Sequence, residues 1–401
     1  VLLLVIAMVM ACGGGIMPRL PSRGGAPWIE LRSEHFRLWT NASVARAHEL
    51  IISLEERRQV IARAMNRTQQ AAKIFVIAMR NKEELAAFLP PPVMAFAWRE
   101  QNPTHQAGIA IPAVSDDSEV IMNHEVAHAI SYALIADQPR WFAEGLASYF
   151  EMATLDPKTR VAEIGVPRAG LLQVLQWRGP ISARKLFACK GGGCIDVDFY
   201  ASSWALFSYL LNEHFARFGA YLQHLQQPDG DHAKAWSAAF PGLQLERLDD
   251  QLWEWVQSGK FAVPRISVVV RRYPAVERPL GDADVLAAWS LLSYFYGRSA
   301  TSLANAEAAL ALDRTHVLAW AMKTAQGETP SVPASRAIVE AHPEDWRAWQ
   351  LLYFALLPTR GAEEELKAVR TRLCAMAAKE GEHCPPGSEK PPTKLPAPAG
   401  G

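Results

Sequence analysis

The chain has 401 residues, half of them hydrophobic, enough for more than one hydrophobic core. Lysine plus arginine and aspartate plus glutamate number 41 each, so the formal net charge is zero. That balance, with no basic stripe, argues against a nucleic-acid or polyanion partner.

The run "VLLLVIAMVMA" is apolar and uncharged, and Cys12 and a glycine run follow it. It is too short to span a bilayer as a helix but matches the apolar core of an export signal. The order of apolar run, small residue, cysteine and glycine resembles a bacterial lipoprotein signal, with Cys12 as the lipidated residue and the membrane anchor. A plain signal peptide or an uncleaved anchor is the alternative. The other four cysteines form two local pairs, Cys189 with Cys194 in "CKGGGC" and Cys374 with Cys384 in "CAMAAKEGEHC". Such pairs suit disulfides in an oxidising compartment, against the alternative of unpaired thiols. Together these features predict export to the bacterial cell envelope, as a periplasmic protein or a membrane-anchored lipoprotein.

Residues 1–27 read as signal and glycine- and proline-rich tether. "WIELRSEHFRLWT" predicts one or two strands, and Asn41 or Ser43 caps a helix that runs to about Ala64. "AAKIFVIAM" predicts a buried strand, "NKEELAAFL" a short helix, and "AFAWRE" and "AGIAIPAV" two further strands. The last of these, just before the motif discussed below, is the candidate edge strand for an extended peptide, with an ordinary internal strand as the alternative. From Asp116 to about Lys260 the pattern is helical. These elements make 28–260 an α+β domain. Prolines and a β-branched run mark 261–280 as a linker.

Three helix pairs follow within 281–380. The units "LALDRTHVLAW" and "VEAHPEDWRAW" resemble the joint between tetratricopeptide repeats, although Trp320 and Trp349 are 29 residues apart rather than the usual ~34. The resemblance implies an all-α repeat domain with a concave surface for a protein partner. A generic helical bundle is the alternative. The proline-rich tail in 381–401 predicts disorder.

The chemistry concentrates in "NHEVAHAISYALIADQPRWFAEGLASYFE". His124, Glu125 and His128 form an HExxH motif. On a helix, residues four apart stand about 40° apart around the axis and one turn along it, so both imidazoles reach one metal ion. Glu125 is rotated by about 100°, so it stands beside that ion and can hold a metal-bound water. Asp116 as N-cap with Glu119 three residues on suggests a capping box for this helix. If the helix runs to about Ile135 and restarts with Pro139 near its first turn, the chain rises roughly 10 Å and descends roughly 7.5 Å to Glu144. An antiparallel hairpin thus returns Glu144 to the level of His128 as a third ligand, leaving the open position of a catalytic zinc site.

HExxH followed by a glutamate on the next helix resembles the gluzincin zinc metallopeptidases. "PRWFAEGLASYFE" looks like the WxxEGxA element of their peptidase-MA-like group, often found in bacterial envelope proteins and often joined to tetratricopeptide repeats. The resemblance implies a zincin-like α+β domain followed by the repeats, one Zn2+ held by His124, His128 and Glu144, and Glu125 as general base. The implied activity is hydrolysis, by default internal, of a peptide or protein substrate. Related enzymes place a tyrosine or histidine after the third ligand to bind the oxyanion. Tyr200 in "FYASSWA" is the candidate, with a half-buried packing role as its alternative, and Tyr149 is a weaker one. Ser148 stands where those enzymes often carry an aspartate that supports a histidine ligand, which leaves the partner of His124 and His128 unidentified. His105, His214 and His224 have no motif context and read as surface or packing residues. The competing function is a non-catalytic envelope adaptor that binds proteins through its repeats.

Overall fold

The structure, a computed structural model, describes residues 17–384 except 66–72, 92, 100–105, 133, 134, 136, 191, 228, 229, 270, 272 and 381–383. Cys12 and the expected signal, the tail beyond Cys384 and His105 lie outside the described residues.

The chain opens with β1 (Trp28–Arg32), β2 (Phe36–Thr40), α1 (Val44–Ala64), β3 (Ile74–Met79), α2 (Lys82–Ala86), β4 (Phe96–Trp98) and β5 (Gly108–Pro112). It continues with α3 (Ser118–Tyr132), α4 (Arg140–Phe150), β6 (Thr154–Asp156), β7 (Val161–Glu163), α5 (Ala169–Arg178), α6 (Ala183–Ala188) and α7 (Val197–Glu213). Then come α8 (Phe215–Leu225), α9 (His232–Ala239), α10 (Leu245–Ser258), β8 (Arg265–Ser267) and β9 (Val276–Leu280). Six helices finish it: α11 (Asp282–Phe295), α12 (Ser299–Leu312), α13 (Val317–Ala325), α14 (Val332–Ala341), α15 (Trp346–Leu356) and α16 (Glu363–Lys379). This is an α+β protein, mostly helical, with a mixed six-stranded sheet and a helical C-terminal part.

The sheet order is β4-β5-β3-β2-β1-β9. β3 pairs in parallel with β2 and β5, and the outer pairings are antiparallel. Every residue of β3 is buried, as expected of a strand covered on both faces. Strand alternation sorts its side chains. Ile74, Val76 and Ala78 join a core with α1 and α3, while Phe75, Ile77 and Met79 join one with α11, α12 and α13. Ser43 caps α1 by accepting from the Arg46 amide.

Three expectations are corrected here. The segment 261–280, expected as a linker, carries two strands: β8 pairs with β7 and β9 with β1. Pro279 suggested a break, but β9 is an edge strand, where a missing amide donor is tolerated. "AGIAIPAV" does not form the edge either. β5 lies between β3 and β4, and β4 is the edge strand that runs beside α3. Finally, α3 starts at Ser118, which leaves Asp116 outside the capping position and Glu119 in the first turn.

The C-terminal helices match the six expected in 281–380 but do not stand apart. Val285, Leu292 and Phe295 of α11 and Ala319 and Met322 of α13 share one core with Trp39, Phe75 and Trp98 of the sheet. The faces of α11 and α13 are therefore spent on this chain's own sheet. No helix among the described residues is long and apolar enough to cross a membrane. Cys189–Cys194 and Cys374–Cys384 are both disulfides, which fits an oxidising compartment.

Candidate metal centre

α3 lies between the sheet and α4, and α4 packs on α7. The close approach of α4 to α7 rests on Gly145. A Cβ there would fall inside van der Waals contact of the Ser203 carbonyl and 2.9 Å from Phe207 Cβ, both on α7. Gly145→Ala is therefore expected to destabilise the fold by roughly 1–3 kcal/mol, the usual cost of overpacking. Urea denaturation measures it, and a change of less than about 0.5 kcal/mol, the size of a neutral surface substitution, would contradict this packing.

The hairpin of α3 and α4 brings His124, His128 and Glu144 together. The Nε2 atoms of His124 and His128 lie 3.0 Å apart, and Glu144 Oε2 lies 3.4 Å from the first and 3.3 Å from the second. Zinc bonds of about 2.0–2.1 Å in a tetrahedron place neighbouring ligand atoms about 3.3 Å apart. The three separations match the edges of such a tetrahedron. His128 and Glu144 are buried, and Glu144 Oε2 has no hydrogen-bond partner among the described residues. A buried, unpartnered carboxylate oxygen facing two imidazole nitrogens is the donor set a divalent cation takes. The group could therefore hold one metal ion.

Glu151, at the end of α4, supports the first histidine. Its Oε1 lies 2.9 Å from His124 Nδ1, so that Nδ1–H donates to it and the Nε2 lone pair is left for a metal. Ser148 Oγ donates to the same oxygen at 3.2 Å, and Arg168 stands 3.8 Å from the other. Asn123 Nδ2 donates to the Glu151 carbonyl at 2.9 Å, tying the end of α4 to α3. Ser148 is thus not an empty aspartate position but a donor to a carboxylate three residues on. The sequence signal was present, because Glu151 follows Glu144 by two helical turns on the same face. His128 Nδ1 has no such partner among the described residues.

The surrounding charges shape the site. Burial works against a charged His124, but the facing Glu144 and Glu151 carboxylates outweigh it and hold its pKa well above the usual value. Burial pushes His128 down despite Glu144. Burial also favours protonated Glu144, but the two histidines prevail and keep it well below the usual carboxylate range. Glu125 is 7 % exposed and is pushed up to about 7 by burial, opposed by His124 and reinforced by Glu144 and Glu151.

Tyr200, in the first turn of α7, is half-buried with its ring edge-on to His124 at 6.1 Å. Burial, then the carboxylates of Glu144 and Glu125, raise its pKa, so the phenol keeps its proton and remains a donor. Tyr149 is buried against Phe207 and Gly165 instead. Tyr132, not singled out by any motif, stacks on His128 at 5.6 Å, and the Arg99 guanidinium lies 4.7 Å over its ring. His214 packs against Tyr209 and Phe240, and His224 is exposed.

These features resemble an HExxH-plus-glutamate zinc site. Residues 119–229 match the family described as "Protein of unknown function (DUF1570)". The matched segment contains the metal trio, Glu125, Glu151 and Tyr200. No curated protein matches the chain.

Proposed function

We propose that the protein is a zinc-dependent peptidase of the gluzincin type that cleaves peptide or protein substrates internally in the bacterial cell envelope. The observation that carries this reading is the set of three ligand separations, 3.0, 3.3 and 3.4 Å, with the buried Glu125 next to His124 in the chain and outside that group. Zinc bound there supplies Lewis acidity towards a substrate carbonyl and acidifies a water. Glu125, next to His124 but outside the ligand trio, takes the proton of the attacking water and passes it to the leaving amine. Tyr200 donates a hydrogen bond to the oxyanion. The edge of β4, open among the described residues, offers main-chain pairing to an extended substrate. The outer C-terminal helix pairs, in the tetratricopeptide-like reading, leave room for a protein partner.

Metal analysis of the purified chain tests the reading. One zinc per chain is expected, with peptide hydrolysis lost on chelation and restored by zinc, and no zinc retained in His128→Ala. A wild-type protein that takes up no zinc overturns it.

A further inference from the structure

The C-terminal helices reach the edge strand of the sheet at one point. α11 ends beside the edge strand β4, where Phe295 stacks on Trp98 at 5.0 Å and Tyr296 meets Phe96 edge-on at 5.1 Å. Phe96 and Trp98 face the α11 core, while Ala97 between them packs with the core of α1 and α3. Tyr296 itself is only half-buried. β4 runs beside α3, the helix that carries Glu125, and Arg99, next after β4, lies 4.7 Å over the Tyr132 ring that stacks on His128. β4 has no second strand partner among the described residues.

A peptide laid along β4 would alternate its side chains as β4 does. Every second side chain would then point to the α11 side, where the half-buried Tyr296 packs on the buried Phe96. We propose that Tyr296 lines the substrate groove beside β4 and contacts a large apolar side chain of the peptide. The C-terminal helices thereby complete the site and set its specificity. This inference rests on the peptidase reading above.

The test uses the zinc-loaded full chain, a mixture-based peptide library, and the variants Tyr296→Ala and Tyr296→Leu, with zinc content and melting temperature measured alongside. Tyr296→Ala is expected to raise KM for the preferred peptides by about 10-fold or more, with the loss in KM rather than in kcat. It should also erase the preference for a large apolar residue at one position. Tyr296→Leu, which keeps the surface apolar and preserves packing against Phe96, should recover part of both. An unchanged KM and cleavage profile in a folded, zinc-loaded variant overturns the inference and leaves the peptidase reading standing. If the wild type cuts no peptide, and Glu125→Gln binds none in a fluorescence titration, the peptidase reading falls and this inference with it.

Discussion

Glu125→Gln is expected to keep one zinc bound per chain while lowering peptide turnover by roughly 10²–10⁴-fold, the range supplied by a positioned general base. The two halves of that expectation have separate grounds. Zinc is retained because the trio of His124, His128 and Glu144 closes without Glu125. Turnover falls because glutamine matches the shape of glutamate but cannot accept a proton. Burial raises Glu125 in the metal-free chain and the charge of a bound zinc favours its carboxylate, so the wild-type side chain is placed to accept a proton at neutral pH. Zinc content measured beside kcat decides the matter. Turnover within about tenfold of wild type would fall below the range of general-base catalysis and remove Glu125 from the reaction. Loss of zinc would instead make it part of the metal's support.

Glu151→Ala is expected to weaken zinc binding about 10–100-fold, as substitutions of ligand-supporting groups do. Without the acceptor at 2.9 Å, His124 is free to rotate, and neither nitrogen is fixed as the ligand. Glu151→Gln should lose less, because an amide oxygen still accepts from Nδ1–H. Ser148→Ala should lose least, since it removes one donor to Glu151 and leaves the contact to His124 in place. Competition with a chromogenic chelator ranks the three. If Glu151→Ala binds zinc as tightly as wild type, His124 is steadied by packing alone. An equal loss in the alanine and glutamine variants would point to the carboxylate's charge rather than to its hydrogen bond.

The parts of the site legible in advance are those that a single helix or hairpin encodes. His124 and His128 stand four residues apart, and the rise and descent of the hairpin brought Glu144 to them within 3.4 Å. The β3 run and the start of α1 were legible for the same reason, since burial on both faces and a side-chain cap are written in adjacent residues; of Asn41 and Ser43, the structure takes Ser43 as the cap. Glu151 was legible only in part. Its helical phase points to the site, but the pattern of related enzymes directs attention to position 148 instead.

By itself, the sequence determined the spacing of His124 and His128, the return of Glu144 to them and the run of helices after 281, because each depends on spacing within one or two consecutive elements. The tertiary structure alone decided that β4 is the edge strand, that β9 closes the other side, and that Tyr296 meets Phe96 of β4. Those facts depend on pairing between distant segments. Arg278 of β9, for example, reaches Glu30 of β1 across 248 residues with a 2.7 Å hydrogen bond. Such pairing is selected by burial of the whole sheet and leaves no local signature in the chain.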